Sequence, residues 1–116
     1  MRDHTKLKVF ELAGRLAIRI YRSTANFPPT ERYGLQSQLG RAAVSVPANI
    51  VEGCARSTQA EYSRFLEISY GFTRELQYEI GLSASLGYID EKSAEHLANE
   101  CTTLAKALDA LLGALR

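Results

Sequence analysis

The chain has 116 residues, 46% of them hydrophobic, which is enough for one domain around a single core. Its 14 Lys and Arg against 13 Asp and Glu give a net charge of +1, which excludes a strongly basic global field. Residues 1–58 nevertheless carry nine basic and four acidic side chains, or +5, and residues 59–116 carry five and nine, or −4. The two interpretations are solvated helix faces and attraction between subunits, although helix packing is expected to intermix the halves.

The two cysteines predict a reduced, cytoplasmic protein. Cys54 and Cys101 are far apart and belong to no C-x-x-C motif. No apolar run has the length of a membrane-spanning helix, and none at the N-terminus has the form of a signal peptide.

The first amphipathic pattern predicts a helix over residues 5–25. Its polar face is mostly basic: Lys8, Glu11, Arg15, Arg19 and Arg22. The following Phe27-Pro28-Pro29 ends this helix, because neither proline can continue it. Phe27 itself is expected to be a buried apolar plug.

The second helix is predicted to begin at Thr30 as its N-cap and to end near Gly53, which can take a left-handed conformation. One face of this helix is apolar. Pro47 crowds the carbonyl of Ala43 and predicts a kink. The other face is a polar line of side chains three or four residues apart: Gln38, Arg41, Ser45, Asn49 and Glu52.

The third and fourth helices begin at recognisable caps. Thr58 with Glu61 forms a capping box, and the third helix is predicted to reach Leu86 before Gly87. Asp90 caps the fourth helix, whose leucines recur at spacings of three and four. The third helix also has a second, partly apolar stripe, which predicts a subunit interface at Ile68, Gly71, Glu75, Tyr78 and Leu82.

Four helices of similar length with short loops predict an all-α, antiparallel up-down four-helix bundle over residues 1–116. A coiled coil is the alternative for the fourth helix. No stretch predicts a strand.

No group of residues predicts catalysis, a metal site or a cofactor. A di-iron bundle needs Glu-x-x-His motifs, and the residue three before His96 is Ser93. Cys54 has no histidine near it in sequence to act as a base. Cys101 lies in the leucine seam, the row of leucines along the fourth helix, where a buried thiol is expected. Phosphate-binding glycine loops are also absent.

The polar line of the second helix has two interpretations. If its side chains face a partner helix, they must hydrogen-bond one another or the Ala43 carbonyl, since an unpaired buried polar group costs about 1–3 kcal/mol. Alternatively, arginines there and elsewhere present guanidinium groups to phosphates. The candidate nucleic-acid-binding residues are Arg15, Arg19, Arg22, Arg41, Arg56 and Arg64. Four tyrosines could also stack on unpaired bases: Tyr21, Tyr33, Tyr62 and Tyr70. Aromatic residues at helical spacing, however, more often belong to a core or an interface.

One long motif resembles a known family. The run F-P-P-T-E-R-Y-G-L-x-x-Q-L-x-R-A-A-V-S-V-P-A-N-I-V-E-G at 27–53, with R-F-L-E-I-S-Y-G at 64–71, resembles the four-helix-bundle proteins encoded by intervening sequences of bacterial 23S rRNA genes. Matches to the central motif are Arg41, Ser45, Pro47, Asn49, Glu52, Gly53 and Arg56. Matches to the second are Phe65, Leu66, Gly71, Glu75 and Leu76, whereas Ser69, Tyr70 and Phe72 depart from the usual residues.

The resemblance implies a bundle that assembles into a ring, typically a homopentamer, without catalytic activity. Its relatives include an accessory protein of diversity-generating retroelements, which associates with nucleic acid and a reverse transcriptase. Three functions therefore stay open: a non-catalytic oligomer that binds RNA or DNA through basic helix faces, a protein-interaction scaffold or accessory ring, and an enzyme. The expected partners are copies of the chain itself, RNA or DNA, and a protein, but no membrane and no cofactor.

Overall fold

The computed structural model describes residues 2–116, which fold into four α-helices without a strand among them. The helices are α1 (Lys8–Thr24), α2 (Leu35–Cys54), α3 (Gln59–Ser85) and α4 (Glu91–Ala114), with short 3-10 helices at His4–Lys6 and Pro29–Glu31. Each helix packs against its neighbours in sequence, and α1 packs against α4, which closes the ring of four. The predicted all-α up-down bundle is confirmed.

The core is formed by one apolar stripe from each helix. Its fully buried members include Leu16, Ile20, Leu39, Ile50, Leu66, Leu76, Leu104 and Leu108. Phe27 is also buried and lies 5.3 Å from Tyr88 between ring centroids, as expected of a plug. Cys101 is 0% exposed within the leucine seam, and burial raises the pKa of its thiol to about 12.

The starts of α1 and α2 differ from the sequence prediction. α1 begins only at Lys8, because Leu7 is extended after the first 3-10 helix. Thr30 does not cap α2; it lies inside the second 3-10 helix, and α2 begins after Gly34, whose backbone (φ −111°, ψ −116°) is not helical. The carboxylate of Glu31 accepts a hydrogen bond from the Leu35 amide at 2.9 Å and so supplies the missing cap.

Gly53 does not end α2 through a left-handed conformation, as the sequence had suggested. The helix continues to Cys54, and Ala55 after it has right-handed helical angles. A Cβ at Gly53 would lie 2.9 Å from the Phe65 Cβ and 3.3 Å from the Tyr62 carbonyl oxygen, so this glycine permits close approach of α2 and α3. The remaining predicted caps are confirmed.

Those caps lie at both ends of the α3–α4 pair. Thr58 Oγ1 accepts from the Glu61 amide at 3.2 Å, and Asp90 Oδ1 accepts from the Ser93 amide at 2.8 Å. Gly87, after α3, has φ +78°, the left-handed conformation that glycine adopts without strain.

The two charged halves of the chain occupy opposite sides of the bundle. α1 and α2 pack against each other, as do α3 and α4. α2 also packs against α3, and α1 against α4, so the two halves meet along two helix–helix contacts. We call α1 and α2 with their preceding segments the basic side, and α3 and α4 the acidic side. Among residues 2–116, no helix is long and apolar enough to cross a membrane.

Candidate functional site

Three of the six candidate arginines lie together on α1. Arg15, Arg19 and Arg22 are exposed and line one shallow surface with Ile18. Arg15 pairs with Glu11 at 2.6 Å, one turn earlier, whereas Arg22 forms no ion pair with any residue of 2–116. Exposed ion pairs are worth about 0–1 kcal/mol, so Arg15 remains available to an external anion.

Arg19 reaches across to α4. Its guanidinium lies 3.3 Å from the Glu100 carboxylate and 2.9 Å from His96 Nε2. Because a guanidinium only donates, the second contact is a hydrogen bond when His96 Nε2 carries no proton. Arg19 therefore joins the basic and acidic sides, and its guanidinium is less available to an external anion than those of Arg15 and Arg22.

Arg56 and Arg64 lie away from the α1 surface. Arg56 is half-buried, pairs with Glu52 and holds its guanidinium carbon 4.9 Å from the centroid of the Phe65 ring. Its Nε is buried without a hydrogen-bond partner in the described chain. Arg64 is exposed on α3, on the acidic side. The six arginines therefore do not form one continuous surface.

Arg41 lines an open groove of about 590 Å³ between α1 and α2. We define this α1–α2 groove by its lining residues, Tyr21, Thr24, Arg32, Tyr33, Gln36, Ser37, Gly40, Arg41, Val44 and Ser45. It contains two arginines and no acidic side chain. Arg32 is not among the candidates predicted from the sequence, although it stands directly before Tyr33.

The four tyrosines considered for base stacking have different environments. Tyr33 is 90% exposed and Tyr21 is 57% exposed, both at the α1–α2 groove. Tyr62 is buried beneath Arg2, whose guanidinium carbon lies 3.9 Å from the ring centroid, and Tyr70 is half-buried. Only the first two present a ring to solvent at a basic surface.

The polar line on α2 makes hydrogen bonds to the helix backbone near Pro47. Ser45 Oγ donates to the Arg41 carbonyl and Asn49 Nδ2 donates to the Ser45 carbonyl, each at 2.7 Å. From α3, Ser69 Oγ donates to the Val46 carbonyl at 2.9 Å. The side chains thus bind carbonyls other than that of Ala43, and part of the motif is structural.

The buried carboxyl of Glu79 on α3 is not among the candidate residues predicted from the sequence. Glu79 is 6% exposed, and its Oε1 has no hydrogen-bond partner within residues 2–116. Burial and, after it, the neighbouring carboxyl of Glu75 raise the pKa of Glu79 to about 7, against the opposing effect of the positive charge of Arg41 on α2. The sequence pattern that could have indicated this site is an acidic residue one turn after Glu75, beside an apolar helix face.

The predicted interface residues on α3, which we call the α3 stripe, are Ile68, Gly71, Glu75, Tyr78 and Leu82. Tyr78 is 69% exposed, and Gly71 and Glu75 are also exposed, whereas Ile68 and Leu82 are half-buried. The part of the chain that is described contains no group of three or more potential metal-binding side chains.

These features define a class of small helical bundle with one basic side, one acidic side and a polar motif built around a helical proline. A family model described as 23S rRNA-intervening sequence protein matches residues 5–110, and the chain belongs to that family. The resemblance inferred from residues 27–53 and 64–71 is thereby confirmed.

A solved relative has the same fold. The crystal structure of a protein with unknown function from the S23 ribosomal protein family of Bacteroides thetaiotaomicron, at 1.70 Å resolution, has a TM-score of 0.81 to this chain. The two are 24% identical, and the match covers 90% of this chain and 97% of the other. No curated protein matches the sequence.

Proposed function

We propose that this protein is a non-catalytic nucleic-acid-binding bundle, with RNA as the principal ligand and the basic side as the binding surface. The observation that carries the proposal is the segregation of charge, +5 in residues 1–58 against −4 in residues 59–116, onto opposite sides of the bundle. A net charge near zero hides this asymmetry. A polyanion would approach the α1–α2 side and be repelled by the other.

Individual side chains support the same surface. Arg22, Arg32 and Arg41 form no ion pair among the described residues, and Arg15 is held only by an exposed pair. Arginine is suited to phosphates because its planar guanidinium donates two parallel hydrogen bonds to one anion. Each phosphate neutralised releases counterions, so the affinity must fall as salt rises.

The absence of catalysis is part of the proposal and is supported by the cysteines. Cys54 and Cys101 are buried, and burial raises the pKa of both thiols, which disfavours the nucleophilic thiolate. Two free thiols also suit the reducing cytoplasm, where we place the protein.

Fluorescence anisotropy tests the binding. Labelled structured RNA, single-stranded RNA and duplex DNA are titrated with the protein at two salt concentrations. We expect salt-sensitive RNA binding that weakens for Arg22→Glu and Arg15→Glu. The matched control is Lys106→Glu, which makes the same charge change at an exposed residue of α4.

Two results would contradict the proposal. One is no binding by the folded wild-type protein at the lower salt concentration. The other is an equal loss of affinity for the α1 variants and for Lys106→Glu, because that would show dependence on net charge alone and not on the basic side.

The α3 stripe favours a second function, that of an accessory or scaffold ring of identical subunits. Tyr78 is 69% exposed between half-buried Ile68 and Leu82, an apolar surface that a monomer gains nothing by exposing. Light scattering measures the assembly mass, and we expect a homo-oligomer, a pentamer by the family resemblance. Tyr78→Glu should reduce this mass, whereas Lys106→Glu should not; a monomeric wild-type protein would refute the ring.

A further inference from the structure

The α1–α2 groove combines features that the packing of the bundle does not explain. Its Tyr33 is 90% exposed in the turn before α2, and neither Arg32 nor Arg41 has an ion-pair partner among residues 2–116. An aromatic ring left in water contributes little to folding. Two unpaired guanidinium groups beside it create a local positive field without a compensating charge in the lining.

The second ring of the groove is positioned by α2. Tyr21 of α1 lies over Gly40, where an added Cβ would be 3.5 Å from the tyrosine hydroxyl oxygen. The ring remains 57% exposed. Aromatic rings therefore come from both walls, Tyr21 from α1 and Tyr33 from the segment before α2.

This chemistry matches that of one nucleotide unit of a single strand. Guanidinium groups bind the phosphate, and tyrosine rings stack on an unpaired base, a contact worth about 1–3 kcal/mol per base. The bases of a duplex are stacked within the helix and cannot reach these rings. The groove volume of about 590 Å³ lies within the usual range for small-molecule sites.

The negative charges around the groove do not block it. Glu31 is engaged elsewhere, since its carboxylate accepts hydrogen bonds from the Leu35 amide at 2.9 Å and from the Tyr88 hydroxyl at 3.0 Å. Glu79 attracts Arg41 from the α3 side, but the two side chains form no ion pair. Arg41 therefore keeps its hydrogen-bond donors for a ligand.

We infer that the α1–α2 groove binds an unpaired nucleotide of single-stranded RNA, with its phosphate at Arg32 and Arg41 and its base stacked on Tyr33. This inference rests on the proposed nucleic-acid binding and adds to it a site and a preference for unpaired strands. Tyr33 becomes the specificity-determining residue, because a duplex can use the guanidinium groups but not the rings.

The test compares two probes of equal length, a fluorescein-labelled single-stranded RNA without secondary structure and the duplex that it forms with its complement. Tyr33→Ala should weaken binding of the single strand by roughly 5- to 150-fold, the range expected for one lost stacking contact. Duplex binding should change less than twofold. Tyr33→Phe keeps the ring and should retain wild-type affinity, which separates stacking from other effects of the substitution.

A second readout needs no label on the RNA. The chain contains six tyrosines and no tryptophan, so its fluorescence is tyrosine emission. Stacking on a base should quench this emission when single-stranded RNA is added, and Tyr33→Ala should reduce the quenching.

The contact between Arg32 and the phosphate is tested by substitution. Arg32→Gln should weaken binding and lower its salt dependence, whereas Arg74→Gln on α3 should do neither.

The outcomes separate this inference from the function on which it rests. If Tyr33→Ala and Arg32→Gln bind like the wild type while Arg22→Glu binds weakly, the inference about the groove is refuted. The proposed nucleic-acid binding by the basic side is then retained. If the wild type prefers the duplex, the groove is again refuted. If the wild type binds neither probe, the proposed function and the groove both fail.

Discussion

The buried carboxyl of Glu79 should make the stability of this protein depend on pH near neutrality. It is 6% exposed, its Oε1 has no hydrogen-bond partner in the described chain, and its nearest like charge is Glu75. We predict that Glu79→Gln, which removes the ionisation and keeps the shape of the side chain, stabilises the fold above neutral pH.

The magnitude follows from the shifted pKa. The pKa of Glu79 rises from an ordinary 4.5 to about 7 in the folded protein. At about 1.36 kcal/mol per pH unit, this shift corresponds to a cost of at most about 3 kcal/mol when the carboxyl is charged. Because water can enter and side chains can relax, about 1–2 kcal/mol is the expected effect.

The sign is fixed by proton binding. The folded pKa lies above the unfolded pKa, so between pH 4.5 and about 7 the folded state binds more protons than the unfolded state. The free energy of unfolding therefore decreases as pH rises through this window. Below it both states are protonated, and above it the folded state carries the full cost of the buried charge.

Urea unfolding followed by circular dichroism, at one protein concentration and at pH 5 and pH 8, measures this effect. Relative to wild type, Glu79→Gln should gain about 1–2 kcal/mol more at pH 8 than at pH 5. Glu67→Gln, the same change at an exposed position of α3, should show no such difference. An equal effect of Glu79→Gln at both pH values would refute the reasoning.

Two further predictions concern the contact between α2 and α3 and use the same unfolding assay. Gly53→Ala should destabilise the fold by about 1–3 kcal/mol, because its Cβ would lie 2.9 Å from an α3 side chain. Gly14→Ala, at a helical position with nothing within 4 Å, should instead stabilise it by up to about 1 kcal/mol. Ser69→Ala should cost about 0.5–1.5 kcal/mol through loss of the bond to the Val46 carbonyl. Ser83→Ala, which loses only a bond within α3, should cost less, and equal costs would argue against an interhelical role for Ser69.

The fold was predictable because its signals are local. Apolar periodicity, the caps at Thr58 and Asp90, and the left-handed Gly87 each depend on residues within about one turn, and all are confirmed. The start of α2 was not predictable in this way. It depends on which nearby side chain reaches the Leu35 amide, and Glu31 does so from four residues away.

The errors of interpretation arose where one residue type serves two purposes. A glycine near a helix end can adopt a left-handed conformation or permit close packing, and Gly53 does the second. Likewise, arginines at helical spacing do not reveal which of them have partners. Arg56 is held by Glu52 and lies against Phe65, whereas Arg32, in the turn before α2, is free of ion pairs within the described chain.

The proposed binding and assembly surfaces lie on different helices, and their combination has a measurable consequence. If α3 joins copies into a ring, each copy contributes one α1–α2 groove, and a long strand can occupy several grooves at once. Its second contact is then intramolecular, so long RNA should bind far more tightly than RNA that fills a single groove. Tyr78→Glu should therefore weaken binding of long single strands and leave the affinity for a short one unchanged. Equal losses for both lengths would instead indicate that the α3 stripe contacts RNA directly.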